Sequence, residues 1–337
     1  MIPFILVLLA VLITVIQIKA APEAIKHLYY ENRFDMKLAQ PGEKITYTSK
    51  LINAWHFPVT YINLVEHMPE TACIEGKKNN IDRHRMYLLA HHSYSHDIVF
   101  TLPERGVYKT GRYYLETGDY LGFKSQVKAE EIRCDLVVMP RESEDEVVIN
   151  TLGGFIGDIS VKRFIIEDPV LNIGYRDYTG REPMKDISWT QTARNNKLMV
   201  KNKDYTVDTN VAVVLNMKSE NKKAKEECLR IVRTACQQLE DRRIPYEFIS
   251  NGDVGNEEEG FGNRHFNSLM ARCGKSNLYY YSSFEELIEK CIREKRNNRS
   301  YIIITPELDE AELKELDKLQ LCSDHPLCVL YGREKKE

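Results

Sequence analysis

The sequence has none of the short motifs that mark common catalytic and cofactor sites. It has no CxxC pair, which argues against a thioredoxin-like redox motif and a zinc ribbon. It has no G-x-S-x-G turn to present a serine nucleophile. Gly274-Lys275-Ser276 matches the end of a phosphate-binding loop, but Leu269 stands where that loop needs its first glycine. The sequence therefore predicts no cofactor and no catalytic residue, and it favours a protein that is not an enzyme.

The sequence also has no large excess of basic or of acidic residues. Lys and Arg number 47 against 50 Asp and Glu, so the formal net charge is −3 and no basic patch stands out. A nucleic-acid partner needs such a patch, so none is predicted, and no small-molecule substrate is indicated. The glycines between Gly252 and Gly262 surround Glu257-Glu258-Glu259, whose charge would repel a phosphate. This stretch is predicted to be a flexible acidic loop.

The N-terminal stretch is strongly apolar. Between Ile2 and Ile18 the polar side chains are Thr14 and Gln17. At about 1.5 Å rise per residue, a helix of this length just crosses the ~30 Å hydrocarbon core of a bilayer. The chain lacks the basic region that precedes the apolar core of a secretory signal, although Ala20-Ala21 could be a cleavage site. A retained single-pass anchor over residues 1–20 is therefore favoured over a cleaved signal.

Two features predict that the body of the protein is cytoplasmic. Basic residues follow the anchor directly, at Lys19, Lys26 and Arg33, whereas only the Met1 amine precedes it. Eight cysteines are present, several on the apolar faces of predicted helices, where free thiols pack as small hydrophobic groups. Unpaired thiols fit a reducing compartment. The expected location is the cell membrane, with the body inside.

The periodicity of the body predicts a multidomain α+β protein. Residues 36–145 alternate in short β-branched runs separated by Pro and Gly, which indicates a β-sandwich of immunoglobulin-like type without the Cys…Trp…Cys signature. Residues 150–206 form a separate segment between the two domains, and the stretch from Gly153 to Asp208 shows mixed strand and loop character. Residues 207–333 alternate strands with amphipathic helices, for example a strand at 211–215 and a helix from about Asn221 to Arg243. That alternation predicts an α/β domain with a mostly parallel sheet.

Histidines are concentrated in the β-rich part. His84, His91, His92 and His96, with Asp97, could supply metal ligands. Adjacent residues of a strand point to opposite faces, so at most one of His91 and His92 can join His96. Surface or packing roles are favoured, because a metal site also needs partners that orient its ligands. A membrane-bound hydrolase that uses the region from His91 to Asp97, or the acidic loop at Glu257, remains an alternative.

The most distinctive segment runs from Tyr175 to Val200. Arg176-Asp177-Tyr178-Thr179-Gly180 is followed by Ile187-Ser188-Trp189 and then by the pair Ala193-Arg194. This order resembles the signature of the bacterial "domain of unknown function fifty-eight" family. The residues at matching positions are Arg176, Tyr178, Gly180, Ile187, Trp189, Ala193 and Arg194. Arg181 stands where many members have an acidic residue. The resemblance covers nearly the whole chain, including Gly118-Asp119-Tyr120-Leu121-Gly122-Phe123 ahead of the signature.

The resemblance implies a von Willebrand factor A-like domain at 207–333 and a partner of the MoxR-type AAA+ ATPase class. Members often carry a metal-ion-dependent adhesion site, with the spacing D-x-S-x-S, after the first α/β strand. The corresponding residues here are Asn216, Lys218 and Glu220, so the site is degenerate and no metal is predicted there. Relatives commonly have two adjacent membrane helices. Either this chain uses one anchor, or its true start lies upstream; both put the body in the cytoplasm.

The function expected from these observations is that of a membrane-anchored scaffold or adaptor that binds proteins in envelope or assembly processes. In the signature segment, Trp189 and Tyr178 either pack between domains, with Arg176 and Arg194 paired to Asp177 or Asp186, or contact a partner directly. An exported binding protein is a further alternative, if the N-terminus is cleaved or oriented the other way.

Overall fold

The computed structural model describes residues 2–77, 79–109, 111–118, 124–131, 135–163, 172–180, 182–203, 210–294, 299–323 and 327–333. The chain divides into two compact units, Met1–Arg141 and Glu142–Glu337. Arg181 and residues 119–123, which were named above, lie outside the described residues.

The first unit consists of an N-terminal helix followed by strands. The elements are α1 (Ile2–Ala24), a 3-10 helix (Ile25–His27), β1 (Leu28–Phe34), β2 (Leu38–Ala39), β3 (Lys44–Asn53), β4 (Val59–His67), β5 (Cys73–Ile74), β6 (Ile81–Leu88), β7 (Ser93–Thr101), β8 (Gly106–Lys109), β9 (Arg112–Gly118), β10 (Ser125–Glu131) and β11 (Asp135–Val138). Strand β1 lies ahead of residue 36, where the sequence places the start of the sandwich. Across the described residues, no helix combines the length and the hydropathy of a segment that crosses a bilayer.

Two antiparallel sheets enclose the core of this unit. In the described residues their strand orders are β1-β3-β7-β5 and β10-β9-β4-β6, and β2, β11 and β8 form a smaller third sheet. Tyr47 and Phe100 from the first sheet share one apolar cluster with Ile62 and Leu115 from the second. The two sheets therefore bury their inner faces in a common core, as a sandwich does.

The second unit mixes helices and strands. Its elements are α2 (Glu146–Arg163), β12 (Asn172–Asp177), a 3-10 helix (Met184–Asp186), α3 (Trp189–Asn195), β13 (Met199–Lys203), β14 (Asn210–Leu215), α4 (Lys222–Asp241), β15 (Tyr246–Ser250), β16 (Glu257–Gly260), α5 (Asn263–Lys275), α6 (Phe284–Arg293), β17 (Arg299–Thr305), α7 (Glu310–Cys322) and β18 (Leu327–Tyr331).

The main sheet of this unit has the order β16-β15-β14-β17-β18 in the described residues. Strands β15, β14, β17 and β18 are parallel, and the edge strand β16 is antiparallel. Every residue of β17 is buried, and its middle, from Tyr301 to Ile304, is apolar, as expected for a strand covered on both faces. The predicted mixture of α and β structure, rich in sheets, is confirmed.

Two local predictions are wrong. Residues 146–163 form a helix, although mixed strand and loop character was predicted from Gly153 onward. Val148, Leu152, Ile156 and Ile159 are buried at helical spacing, so burial of one face outweighs the low helix propensity of the glycines between them. In the predicted acidic loop, residues 257–260 form the edge strand β16.

Candidate functional site

Main-chain hydrogen bonds fix the signature segment. Strands β12 and β13 pair antiparallel, and beyond them the Tyr178 amide donates to the Leu198 carbonyl at 2.9 Å. Ile187 forms a β-bridge with Val200, and the side chains of both are buried. The Ser188 amide donates to a carbonyl of β13 at 2.8 Å. The start of α3 is therefore tied to the strand pair rather than held on a loose loop.

The turn that contains Gly180 is closed by Glu182. This carboxylate accepts from the Thr179 amide at 3.0 Å and from the Thr179 hydroxyl at 2.8 Å, and the Arg176 guanidinium lies 2.5 Å away. Gly180 has φ +89°, which favours glycine. Partial burial acts to raise the pKa of Glu182, but the hydrogen bonds from Thr179 and Arg176 outweigh it and lower the pKa to about 2. Sequence reasoning did not name Glu182 as a partner of Arg176.

The signature segment exposes large apolar side chains. Trp189, the first residue of α3, is 61% exposed, and Tyr175, Met184 and Leu198 are also exposed. Ala193 and Arg194 lie on the same helix and are exposed, whereas Tyr178 is half-buried. The segment therefore presents an indole from a backbone that its own hydrogen bonds hold in place.

The residues that correspond to the degenerate adhesion site bond to other groups of the protein. Asn216 follows β14 and is fully buried; its amide donates to the Thr305 hydroxyl at 3.1 Å, and its oxygen accepts from the Asn251 amide at 2.8 Å and the Lys218 backbone amide at 3.0 Å. These contacts join the carboxyl ends of β14, β15 and β17. The Lys218 ammonium lies 2.9 Å from Glu312, which raises the pKa of Lys218.

The donor set at this position does not fit a hard cation. A Mg²⁺ site needs free oxygens, mostly from carboxylates, hydroxyls and water. The oxygen of Asn216 already accepts two hydrogen bonds, and Lys218 brings positive charge to the position of a ligand. Glu220 is exposed. The arrangement therefore acts as a structural link between strands.

A second cluster of polar residues lies inside the sandwich. Along β4 the inward positions are Ile62, Leu64 and Glu66, and Glu66 is fully buried. His84 on β6 and His96 on β7 reach it from neighbouring inward positions, and the centroids of the two imidazole rings are 4.0 Å apart. One ligand atom from each of Glu66, His84 and His96 lies within 4.8 Å of the others.

Three hydroxyl groups orient this cluster. The Tyr30 hydroxyl donates a short hydrogen bond to Glu66 Oε1, the Ser49 hydroxyl lies 3.0 Å from His96 Nδ1, and the Tyr94 hydroxyl lies 3.2 Å from His84 Nδ1. Burial raises the pKa of Tyr30, and the neighbouring Glu66 carboxylate raises it further.

The remaining ligand atoms of the cluster each lie close to another polar atom. Glu66 Oε2 lies 2.7 Å from His96 Nε2, and His84 Nε2 lies 3.2 Å from Asp82 Oδ1. Neither contact has the alignment of a hydrogen bond, and no other residue that the structure describes bonds to Glu66 Oε2 or His84 Nε2, both of which are buried. Two atoms able to bind a metal are thus buried, and neither forms a hydrogen bond with a residue that the structure describes.

The other histidine candidates lie elsewhere. His91 and His92 are in the turn between β6 and β7, not on a strand, and His91 has φ +57°. His91 Nε2 lies 3.1 Å from His56 Nδ1, and His92 Nδ1 lies 2.9 Å from the carbonyl of Ala90. Asp97 is exposed on β7. The interpretation of His91 and His92 as strand neighbours is therefore wrong.

Sequence reasoning named His84 and His96 but missed Glu66. A signal for it was present, because the period-two pattern of β4 continues from Ile62 and Leu64 to this carboxylate. An acidic residue at an inward strand position is uncommon, because a buried charge needs polar partners.

Comparison with known proteins gives no family for this chain. No family model and no curated protein matches it. Among solved structures, it is 14% identical to a CARDB domain from Pyrococcus furiosus, over 33% of this chain and 91% of that one, with a TM-score of 0.22. It is 13% identical to part of α2-macroglobulin from Escherichia coli, over 34% of this chain and 17% of that one, with a TM-score of 0.27. It is 12% identical to the sporulation control protein Spo0M from Bacillus subtilis, over 45% and 58% respectively, with a TM-score of 0.19.

Proposed function

We propose that this protein is a membrane-anchored, non-enzymatic scaffold or adaptor, whose body lies in the cytoplasm and binds other proteins in envelope or assembly work. The resemblance of its signature segment to the "domain of unknown function fifty-eight" family suggests that one partner is a MoxR-type AAA+ ATPase. In this proposal the first unit supplies an immunoglobulin-like sandwich and the second a von Willebrand factor A-like domain.

The exposure of Trp189 is the observation that carries the proposal. Tryptophan, tyrosine and arginine dominate the binding energy of protein interfaces, and an exposed indole is costly unless something covers it. Trp189 is 61% exposed at the start of a helix whose position is fixed by main-chain hydrogen bonds. Because the backbone is already ordered, a partner would bind this side chain with little additional entropy cost.

The exposed apolar surface of α1 supports the membrane anchor. Its large side chains between Ile5 and Val15 are about half exposed or more. A continuous run of exposed aliphatic groups is unfavourable in water, whereas a bilayer would cover it. Protease treatment of intact cells tests the orientation: digestion of the body from outside would contradict a cytoplasmic location.

Co-purification tests the adaptor proposal. The full-length protein is solubilised in mild detergent with nucleotide present, and the ATPase encoded by a neighbouring reading frame is measured in the eluate. We expect retention that falls at least tenfold in Trp189→Ala, because a central tryptophan typically contributes more than about 1–2 kcal/mol to an interface.

Tyr281→Ala is the matched control, since Tyr281 is another strongly exposed aromatic residue of the second unit. Its retention of the ATPase should equal that of the unmodified protein. Failure to retain any ATPase or other protein would refute the adaptor proposal, and equal losses in both variants would refute the role of Trp189.

A further inference from the structure

We propose that Glu66, His84 and His96 form a binding site for a divalent transition metal, for which Zn²⁺ is the best fit. The ligand atoms are Glu66 Oε2, His84 Nε2 and His96 Nε2. The site lies within the first unit and does not depend on the adaptor role of the signature segment.

The donor set matches this class of metal. Two imidazole nitrogens and one carboxylate oxygen suit Zn²⁺, whereas Mg²⁺ and Ca²⁺ prefer oxygen ligands throughout. With metal–ligand bonds of about 2.0–2.2 Å, tetrahedral ligands lie roughly 3.3 Å apart. One ligand atom from each residue already lies within 4.8 Å of the others, so small side-chain rotations bring the three ligands to that spacing.

Outer contacts orient the ligands. The Tyr30 hydroxyl holds Glu66 Oε1, which leaves Oε2 on the side of His96. The Tyr94 hydroxyl lies beside Nδ1 of His84, which leaves the Nε2 of that ring for the metal. The Ser49 hydroxyl lies 3.0 Å from Nδ1 of His96 and 3.3 Å from its Nε2. Oriented ligands of this kind are typical of metal sites, where the second ring nitrogen has its own partner.

An ordinary packing role explains the cluster less well. A buried polar atom without a hydrogen bond costs about 1–3 kcal/mol, and both Glu66 Oε2 and His84 Nε2 lack one from the described residues. A metal would use both atoms at once. The contact of Glu66 Oε2 with His96 Nε2 at 2.7 Å is also short for a pair without hydrogen-bond alignment.

The site lies close to the surface of the sandwich. The His84 side chain is 27% exposed, although its Nε2 and Glu66 Oε2 are buried. Asp82 lies next to His84, but the Lys77 ammonium bonds to its carboxylate, which keeps Asp82 out of the ligand set. Three protein ligands leave a fourth position of a tetrahedral metal for water.

Metal titration of the full-length protein tests the site. The protein is purified in detergent without a histidine tag, stripped with a chelator and titrated with Co²⁺, whose visible absorption reports coordination; Zn²⁺ is then added in competition. We expect one Co²⁺ per chain, displaced by one Zn²⁺. Absence of both binding and displacement would overturn the proposal.

Substitutions locate the binding. His84→Ala should weaken Zn²⁺ binding more than 100-fold, since it removes a ligand. Tyr94→Phe, which removes only the hydroxyl beside His84, should weaken it about 10–100-fold while the protein stays folded. His92→Ala and Tyr87→Phe are matched controls, because both side chains are exposed and outside the cluster. Unchanged affinity in both His84→Ala and Tyr94→Phe, or a comparable loss in either control, would refute this location.

Discussion

Replacing Glu66 with alanine should strongly destabilise the sandwich, even with all metal removed by a chelator. The substitution takes away the carboxylate acceptor of the Tyr30 hydroxyl, which keeps the Tyr47 hydroxyl as a partner at 2.7 Å, and leaves the His96 ring facing a cavity. A buried group that loses its partner retains the cost of its burial, so the change does not simply remove one contact.

The size of the effect follows from two contributions. A hydrogen bond to a charged acceptor contributes about 1.5–3 kcal/mol, and burial of the Cγ methylene, which alanine lacks, contributes about 0.8 kcal/mol. The expected loss in unfolding free energy is therefore about 2.3–3.8 kcal/mol for Glu66→Ala. Glu66→Gln keeps the methylene groups and an acceptor for Tyr30, so it should lose only about 1 kcal/mol, because a neutral acceptor gives roughly half the stabilisation of a charged one.

Thermal and urea denaturation in chelator measure these losses. At roughly 4 °C per kcal/mol for a domain of intermediate size, Glu66→Ala should lower the melting temperature of the first unit by about 9–15 °C. Glu70→Ala, at an exposed position just beyond β4, is the control and should change stability by less than about 0.5 kcal/mol. If Glu66→Ala cost less than about 1 kcal/mol, or no more than Glu66→Gln, the buried contact to Tyr30 would not exist as described.

Substitutions of three other side chains have expected effects on stability that can be measured. Trp189→Ala should change the unfolding free energy by less than about 0.5 kcal/mol, because the side chain is exposed; a larger loss in thermal denaturation would mean that the indole is packed. Asn216→Ala should cost about 2–4 kcal/mol in urea denaturation, because it removes the buried hydrogen bonds to Thr305 and Asn251 together; a loss under about 1 kcal/mol would contradict the network. The pKa of Glu182 is lowered from 4.5 to about 2, so its contact with Arg176 stabilises the turn above about pH 4.5, and this contribution is lost as the pH falls through 2. Trp189 fluorescence should follow that loss, and Glu182→Gln should abolish the pH dependence; an unchanged profile in the variant would contradict it.

The strands and helices of the α/β sheet could be predicted from the sequence because each has a clear pattern of apolar residues. The strand predicted at 211–215 is Asn210–Leu215, and the helix predicted from about Asn221 is Lys222–Asp241, with the Asn221 side chain accepting from two amides at its start. Buried parallel strands are apolar throughout, and a helix that covers them is apolar on one face. Both patterns are visible without any knowledge of partners in space.

The cluster in the sandwich could be predicted only in part. His84 lies in the second sheet and His96 in the first, so their proximity depends on which strands face each other across the core. Period-two patterns show which side chains point inward, but not which inward positions meet. The turn that holds His91 and His92 was missed because its sequence has no glycine or proline.

The hydrogen bonds of Asn216 affect whether the second unit changes shape with the concentration of metal ions. Where strands meet around a bound cation, the geometry of the sheet edge depends on whether the ion is present. Here amide groups from the chain itself make the connection between β14, β15 and β17. We expect the surface at this edge to keep one shape at any magnesium concentration, so that a partner bound there would remain bound when the ion is removed.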